Sequence, residues 1–193
     1  MSDDHVRLEG AIPVSQIQDM NVGRKPATVE TTRLYLRPLA QGDLDRFASI
    51  FSDPEVTRFL GYEAGAYDRS RRELEFWIAA YERQCFGMLG MVRKADGKLI
   101  GRCGFAALEM EGVREMEIGC VVDRSVWGQG LATEAASAMR DYGFERCGFN
   151  RLVSLLHPEN AASLRVAEKI GMTHEKDFLA MTQRLFVFAL QTP

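Results

Sequence analysis

The stretch from Glu117 to Tyr142 constrains this chain most. Glu117 to Val122 has the make-up of a buried strand, Gly128 and Gly130 bracket a short loop, and Gly130 to Arg146 places Leu131, Ala135, Met139 and Tyr142 on one face of a long helix. Backbone N–H groups at a helix start have no intrahelical partner and carry the positive end of the helix dipole, so this unit makes an anion site. Glycine lets a phosphate approach the backbone, and a diphosphate is the ligand expected at Gly128 to Ala132. For an isolated Gly-x-Gly the plainer reading is a tight turn that needs positive φ. A Walker loop would need Gly-Lys-Ser/Thr, and the segment has no lysine. A dinucleotide loop, as in a nicotinamide-dependent dehydrogenase, would carry a third glycine where Thr133 stands and would follow its strand directly.

Around this unit the elements fall in a definite order. Arg33 to Pro38 alternates and stops at a proline, as a strand near a sheet edge does. Leu44, Phe47, Ile50 and Phe51 recur at helical spacing behind Asp43, a candidate N-cap; Leu74, Trp77, Ile78, Tyr81 and Cys85 predict a second helix. The loop Gly61 to Asp68 between them, with two tyrosines and a glutamate, is a candidate substrate mouth. Phe86–Val92, Lys98–Leu108 and Glu115–Val122 follow with short connections, the first two joined at Ala95-Asp96-Gly97, and predict an antiparallel meander. The helix from Gly130 and a strand over Arg151–Leu156 then complete a strand, helix, strand crossover, so the fourth and fifth strands run parallel. A helix over Asn160–Ile170 ends at Gly171, and strands near Met172–Glu175 and Arg184–Leu190 close the domain.

With 193 residues, 46% of them hydrophobic, the chain suits one compact domain over 30–193, preceded by an arm over 1–29 without sustained periodicity. A formal charge of −3 offers no broad positive field for nucleic acid or an anionic membrane. No apolar run approaches the ~18 residues that span a bilayer, and Met1 to Gly10 is acidic and polar, unlike a secretory signal; a cytoplasmic protein is expected. Cys85, Cys103, Cys120 and Cys147 form no C-x-x-C pair and read as reduced core thiols.

Three separated motifs then stand in order: Thr31 to Leu39 (Thr-Thr-Arg-Leu-Tyr-Leu-Arg-Pro-Leu), Trp127 to Ala135 (Trp-Gly-Gln-Gly-Leu-Ala-Thr-Glu-Ala), and His157 to Ser163 (His-Pro-Glu-Asn-Ala-Ala-Ser) running on to Met172. Together they resemble the GNAT superfamily of N-acetyltransferases, in particular its ribosomal-protein-alanine (RimJ/RimL-like) branch, across roughly residues 31 to 190. The resemblance implies an α+β fold with a mixed, mostly antiparallel seven-stranded sheet, parallel fourth and fifth strands splayed apart, and about four flanking helices. It implies acetyl-CoA as co-substrate, no metal, and direct attack of an amine on the thioester, the amine belonging to a peptide N-terminus or a small molecule.

By the same resemblance the pantetheine arm pairs with the edge of the fourth strand at Cys120, Val121 and Val122, a backbone N–H near Val121 or Val122 stabilises the oxyanion, and Trp127, Gly128, Gln129, Gly130, Leu131, Ala132 and Thr133 take the diphosphate. Arg124 is a candidate for a CoA phosphate. Asn160 bonds the pantetheine arm, acts as an ordinary N-cap, or both. The usual acid tyrosine is Ala167 here, and Ser163 is the substitute expected to protonate the leaving thiolate, against a reading as a small polar residue of the first turns. Glu117 is the first candidate for the base, against a reading as one more glutamate of a charged surface run; Glu175 and Asp177 are the alternatives. His157 reads as a structural strand exit. The missing tyrosine also motivates a second reading, a non-catalytic CoA-binding regulatory domain. Exposed strand edges leave a homodimer open.

Overall fold

The computed structural model describes residues 26–192 apart from 62, 63, 66, 181 and 182. Most of the arm and part of the Gly61 to Asp68 loop thus lie outside the described residues. The order is β1 (Val29–Glu30), β2 (Leu34–Arg37), α1 (Leu44–Phe51), α2 (Pro54–Thr57), α3 (Tyr67–Ala80), β3 (Met88–Arg93), β4 (Leu99–Met110), β5 (Val113–Val122), α4 (Leu131–Glu145), β6 (Arg151–Leu156), α5 (Ala161–Lys169), β7 (Thr173–Ala180) and β8 (Gln183–Gln191). One eight-stranded sheet runs β1-β2-β3-β4-β5-β6-β8-β7. The seven strands expected from the sequence are β2 to β8; the eighth is the two-residue β1, too short to carry a pattern. The four expected helices are α1, α3, α4 and α5, and α2 adds a four-residue turn of helix capped by Asp53.

Three readings change. Asp43 stands at the start of α1, but its carboxylate caps no helix N–H. It accepts two bonds from Arg37 at 2.7 Å and one from the Ala40 N–H at 2.8 Å, tying β2 to the approach to α1. The second helix ends at Ala80, so Cys85 lies in the connection that follows. The strand near Met172–Glu175 also runs further, through Ala180.

The crossover is as expected: β4 and β5 are antiparallel along their length, whereas β5 and β6 are parallel and share one bridged pair, Glu117 with Val153. Side chains alternate across a strand, so the two faces of the sheet can be assigned. Phe105 and its partner Ile118 face α4, where Phe105 meets Phe149 edge to face. Arg102, Ala106 and Glu117 face the other way, toward α1 and α3, with the Arg102 guanidinium over the Phe51 ring and paired to Glu73. On that second face Val153, Val187 and Ala189 form a small separate cluster with Met110.

Candidate active site

Beyond Glu117 and Val153 the strands β5 and β6 part, leaving a wedge that opens toward their C-terminal ends. Splaying strands releases backbone groups that need other partners. Two side chains supply them. The buried Ser154 hydroxyl donates to the Ile118 carbonyl at 2.7 Å, and the Leu155 N–H points at the Glu117 carboxylate at 3.5 Å. The wedge is therefore a built feature with Glu117 at its vertex. Glu117 is half-buried by exposure with its carboxylate turned into the protein, and loss of solvent pushes its pKa up to about 7, with the Leu155 N–H and the Arg102 charge opposing the rise. The surface reading of Glu117 is thereby corrected: only Arg114 of its charged run is fully exposed, because alternation turns Glu117 inward.

The open edge of β5 is selective. Backbone groups alternate in direction along a strand. Ile118 and Val122 direct theirs into the wedge, since their carbonyls are taken by Ser154 and by the Trp127 indole N–H at 2.7 Å. Cys120 shares that direction. Asp123 reaches the Ile100 carbonyl of β4, and Val121 turns the same way. Of the two N–H groups named for an oxyanion, Val122 thus faces the wedge and Val121 does not; for the same reason Cys120 and Val122, without Val121, offer backbone bonds to an extended ligand.

At the open end, Gly130 takes φ +75° as the residue before α4, a left-handed conformation that suits glycine. Gly128, Gln129 and Gly130 are exposed, Leu131 is buried in the core, and Ala132 and Thr133 are half-buried, so the first turn of α4 presents its N–H groups at the mouth of the wedge. The sequence reading missed what holds this loop. Arg33 donates through Nη1 to the Gln129 carbonyl at 2.8 Å and through Nε to Glu134 at 2.6 Å, and Thr31 and the Arg33 N–H also bond Glu134. Burial pushes the Glu134 pKa up, but these bonds together outweigh it and keep the carboxylate ionised. Trp127 is 48% exposed, and its bond to Val122 makes it a strut between loop and strand. Replacing it by phenylalanine keeps the ring and removes the bond; KM for acetyl-CoA is expected to rise about five- to tenfold in steady-state kinetics, with kcat nearly unchanged. Arg124 is exposed and lies 4.0 Å from Asp53.

Across the wedge, Asn160 caps α5 by accepting the Ser163 N–H at 3.1 Å, which leaves its amide NH2 outside that bond. Ala167 is buried in the core, while Ser163, one turn earlier on the same stripe, is half-buried nearer the helix start. The alternative bases sit elsewhere. Glu175 pairs with both Arg151 nitrogens at 2.8 Å, and that bonding lowers its pKa; Asp177 is held low by Arg184 and then by His174. A carboxylate held ionised by a guanidinium is a weak proton acceptor, so neither competes with Glu117.

A mixed sheet splayed at one parallel pair, with a glycine-bounded helix start at the open end, is the architecture of the coenzyme A-dependent acetyltransferases. The chain belongs to the acetyltransferase (GNAT) domain family, whose model matches residues 33–173; these enzymes move an acetyl group from acetyl-CoA to an amine. It is similar to the uncharacterized protein YkkB of Bacillus subtilis (strain 168), 36% identical over 161 residues that cover 82% of this chain and 92% of that one. The uncharacterized N-acetyltransferase YnaD of the same organism is 40% identical over 150 residues, covering 78% and 85%. Among solved structures, an acetyltransferase from Agrobacterium tumefaciens str. C58 matches with a TM-score of 0.75 at 28% identity, over 90% of this chain and 99% of that one. A RimL ribosomal-protein acetyltransferase in complex with coenzyme A shares the fold, with a TM-score of 0.72 at 17% identity over 86% and 98%. Among the described residues no helix is long and apolar enough to cross a membrane, and no group of acidic, histidine or cysteine side chains is placed to hold a metal ion.

Proposed function

We propose that this chain acetylates a primary amine, on a peptide N-terminus or a small molecule, by direct attack of the amine on acetyl-CoA within the wedge. The observation that carries this reading is Glu117, a carboxyl group at the wedge vertex with its pKa raised to about 7. A base of that pKa is ionised often enough at neutral pH, and basic enough, to take a proton from an ammonium. The residues fit the carrier: Cys120 and Val122 offer backbone bonds to the pantetheine arm, the Asn160 amide NH2, outside its bond to Ser163, donates to it, and residues 128–132 receive the diphosphate. The Val122 N–H stabilises the oxyanion. Ser163 gives a proton to the departing thiolate. The motifs Trp127 to Ala135 and His157 to Ser163 support a reading within the ribosomal-protein-alanine branch, and the Gly61 to Asp68 loop is the segment expected to select the amine.

The test is thiol release from acetyl-CoA with a panel of peptides, amino acids, polyamines and aminoglycosides, wild type beside Ser163→Ala. Release with one acceptor class identifies the amine. Because a thiol of pKa near 8.5 is a fair leaving group, Ser163→Ala is expected to lower kcat only about tenfold. Binding of CoA without release from any acceptor would overturn the catalytic reading in favour of a regulatory CoA-binding domain.

A further inference from the structure

The second face of the wedge is crossed by an aromatic contact that the transfer reaction above does not use. Along β6 the side chains on that face are Arg151, Val153 and Leu155, and the alternation continues to His157, one residue past the strand end. Opposite, α1 packs on β4 and α2 packs on α1, and Phe59 follows in the turn after α2, whose Leu60 N–H bonds the Thr57 carbonyl. The Phe59 and His157 rings stack with centroids 4.9 Å apart and planes at 28°. Phe59 follows the helical layer that packs on β4, and His157 lies two residues past Leu155, whose N–H points at Glu117, so the stack joins that layer to the end of β6 beside the wedge.

Both rings are held. Arg58 lies over Phe59 at 5.1 Å from its centroid. The His157 Nδ1 accepts the Glu159 N–H at 3.1 Å, and the His157 carbonyl accepts the Asn160 N–H at 2.9 Å, so one turn orients the imidazole and Asn160 together. Apolar ring faces across an opening exclude water, and water at a thioester is a competing nucleophile that yields acetate and free CoA thiol.

We infer that Phe59 and His157 form a clasp that closes the second face of the wedge, holding its walls together and keeping bulk water from the thioester and from Glu117. They are positioning residues, and the inference rests on the acetyl-transfer reading for its kinetic consequence. Two measurements on the full chain test it. The first is thiol release from acetyl-CoA without amine, set against transfer to the best acceptor. The second is amide hydrogen exchange at Leu155, whose N–H points to Glu117 beneath the stack, and it needs no turnover.

In Phe59→Ala and His157→Ala, amine-free release is expected to rise several-fold relative to transfer, and Leu155 exchange to rise about fivefold, the worth of one aromatic pair. Phe59→Tyr keeps the stack and leaves the His157 turn intact, and is expected to match the wild type in both. Phe59→Leu keeps volume without a ring and serves should the alanine variant fail to fold. Leu155 exchange unchanged in the ring-deleting variants overturns the clasp, as does a Phe59→Tyr variant as leaky as Phe59→Ala. A wild type that acetylates no amine removes the transfer reading, and Leu155 exchange then decides the clasp by itself.

Discussion

At pH 8, Glu117→Gln is expected to lower kcat by about 10²- to 10⁴-fold, the range for loss of a positioned base, while making the protein harder to melt. The two effects share one cause. Burial makes the ionised carboxylate costly, which raises the Glu117 pKa from 4.5 to about 7 in the folded chain. Stability from the neutral carboxyl is full below the unfolded value and is lost as pH rises through the folded value, because over that window the folded state binds the extra proton. At pH 8 the wild type carries the whole burden, of order 3 kcal/mol, and glutamine carries none. The melting temperature should therefore rise in Glu117→Gln at pH 8 and match the wild type near pH 4. Wild-type kcat/KM should fall about tenfold per pH unit below 7, and the variant should lose that limb. An unchanged acid limb would remove Glu117 from the chemistry.

Gly101→Ala is expected to cost more than about 4 kcal/mol and to abolish activity in whatever protein folds. Gly101 has φ +154°, and a Cβ there would stand 2.1 Å from the Val121 carbonyl oxygen and 3.0 Å from the Val122 Cα. Both obstacles are backbone, so no rotamer change relieves them; β4 must move away from β5 or the residue must leave its conformation. The displaced segment includes Val122, whose N–H faces the wedge and whose carbonyl anchors Trp127. Thermal melting and soluble yield beside Gly97→Ala separate the two causes. Gly97 also has positive φ, at +66°, but nothing lies within 4 Å of its added Cβ, so it reports conformational strain alone. A Gly101→Ala variant that melts with the Gly97→Ala variant would show that the strands accommodate the methyl group.

The parts that were legible in the chain share one property: each is set by residues close in sequence. β6 spans Arg151–Leu156 as the apolar run predicts, α4 spans Leu131–Glu145 behind its glycines, and Gly171 ends α5 with its own N–H and that of Met172 bonded back to Glu168 and Ala167. The missing lysine, and Thr133 where a third glycine would stand, argue against both common nucleotide loops from the chain alone. Short elements escaped because α2 and β1 have too few residues for a period to show. The acid and base candidates were legible as residue types without their surroundings: a charged run favours a surface glutamate at Glu117, and nothing near Glu175 and Asp177 in sequence reveals that Arg151 and Arg184 hold them.

The sequence by itself determined the crossover that brings β5 and β6 side by side, the glycine-bounded start of α4 and the presence of one asparagine and one serine at the start of α5, because helical and strand periods are local properties of the chain. Tertiary structure alone decided where the wedge begins, through Ser154 and Glu117 taking the backbone groups of Ile118 and Leu155. It also decided that Val122 rather than Val121 faces that opening, that Arg33, about a hundred positions from Glu134, bonds it and the Gln129 carbonyl, and that the Phe59 and His157 rings stack. Each of these depends on which side of a strand a group points to and on what another segment places opposite it. A proton affinity or a closed opening is the sum of such neighbours, and no local pattern carries it.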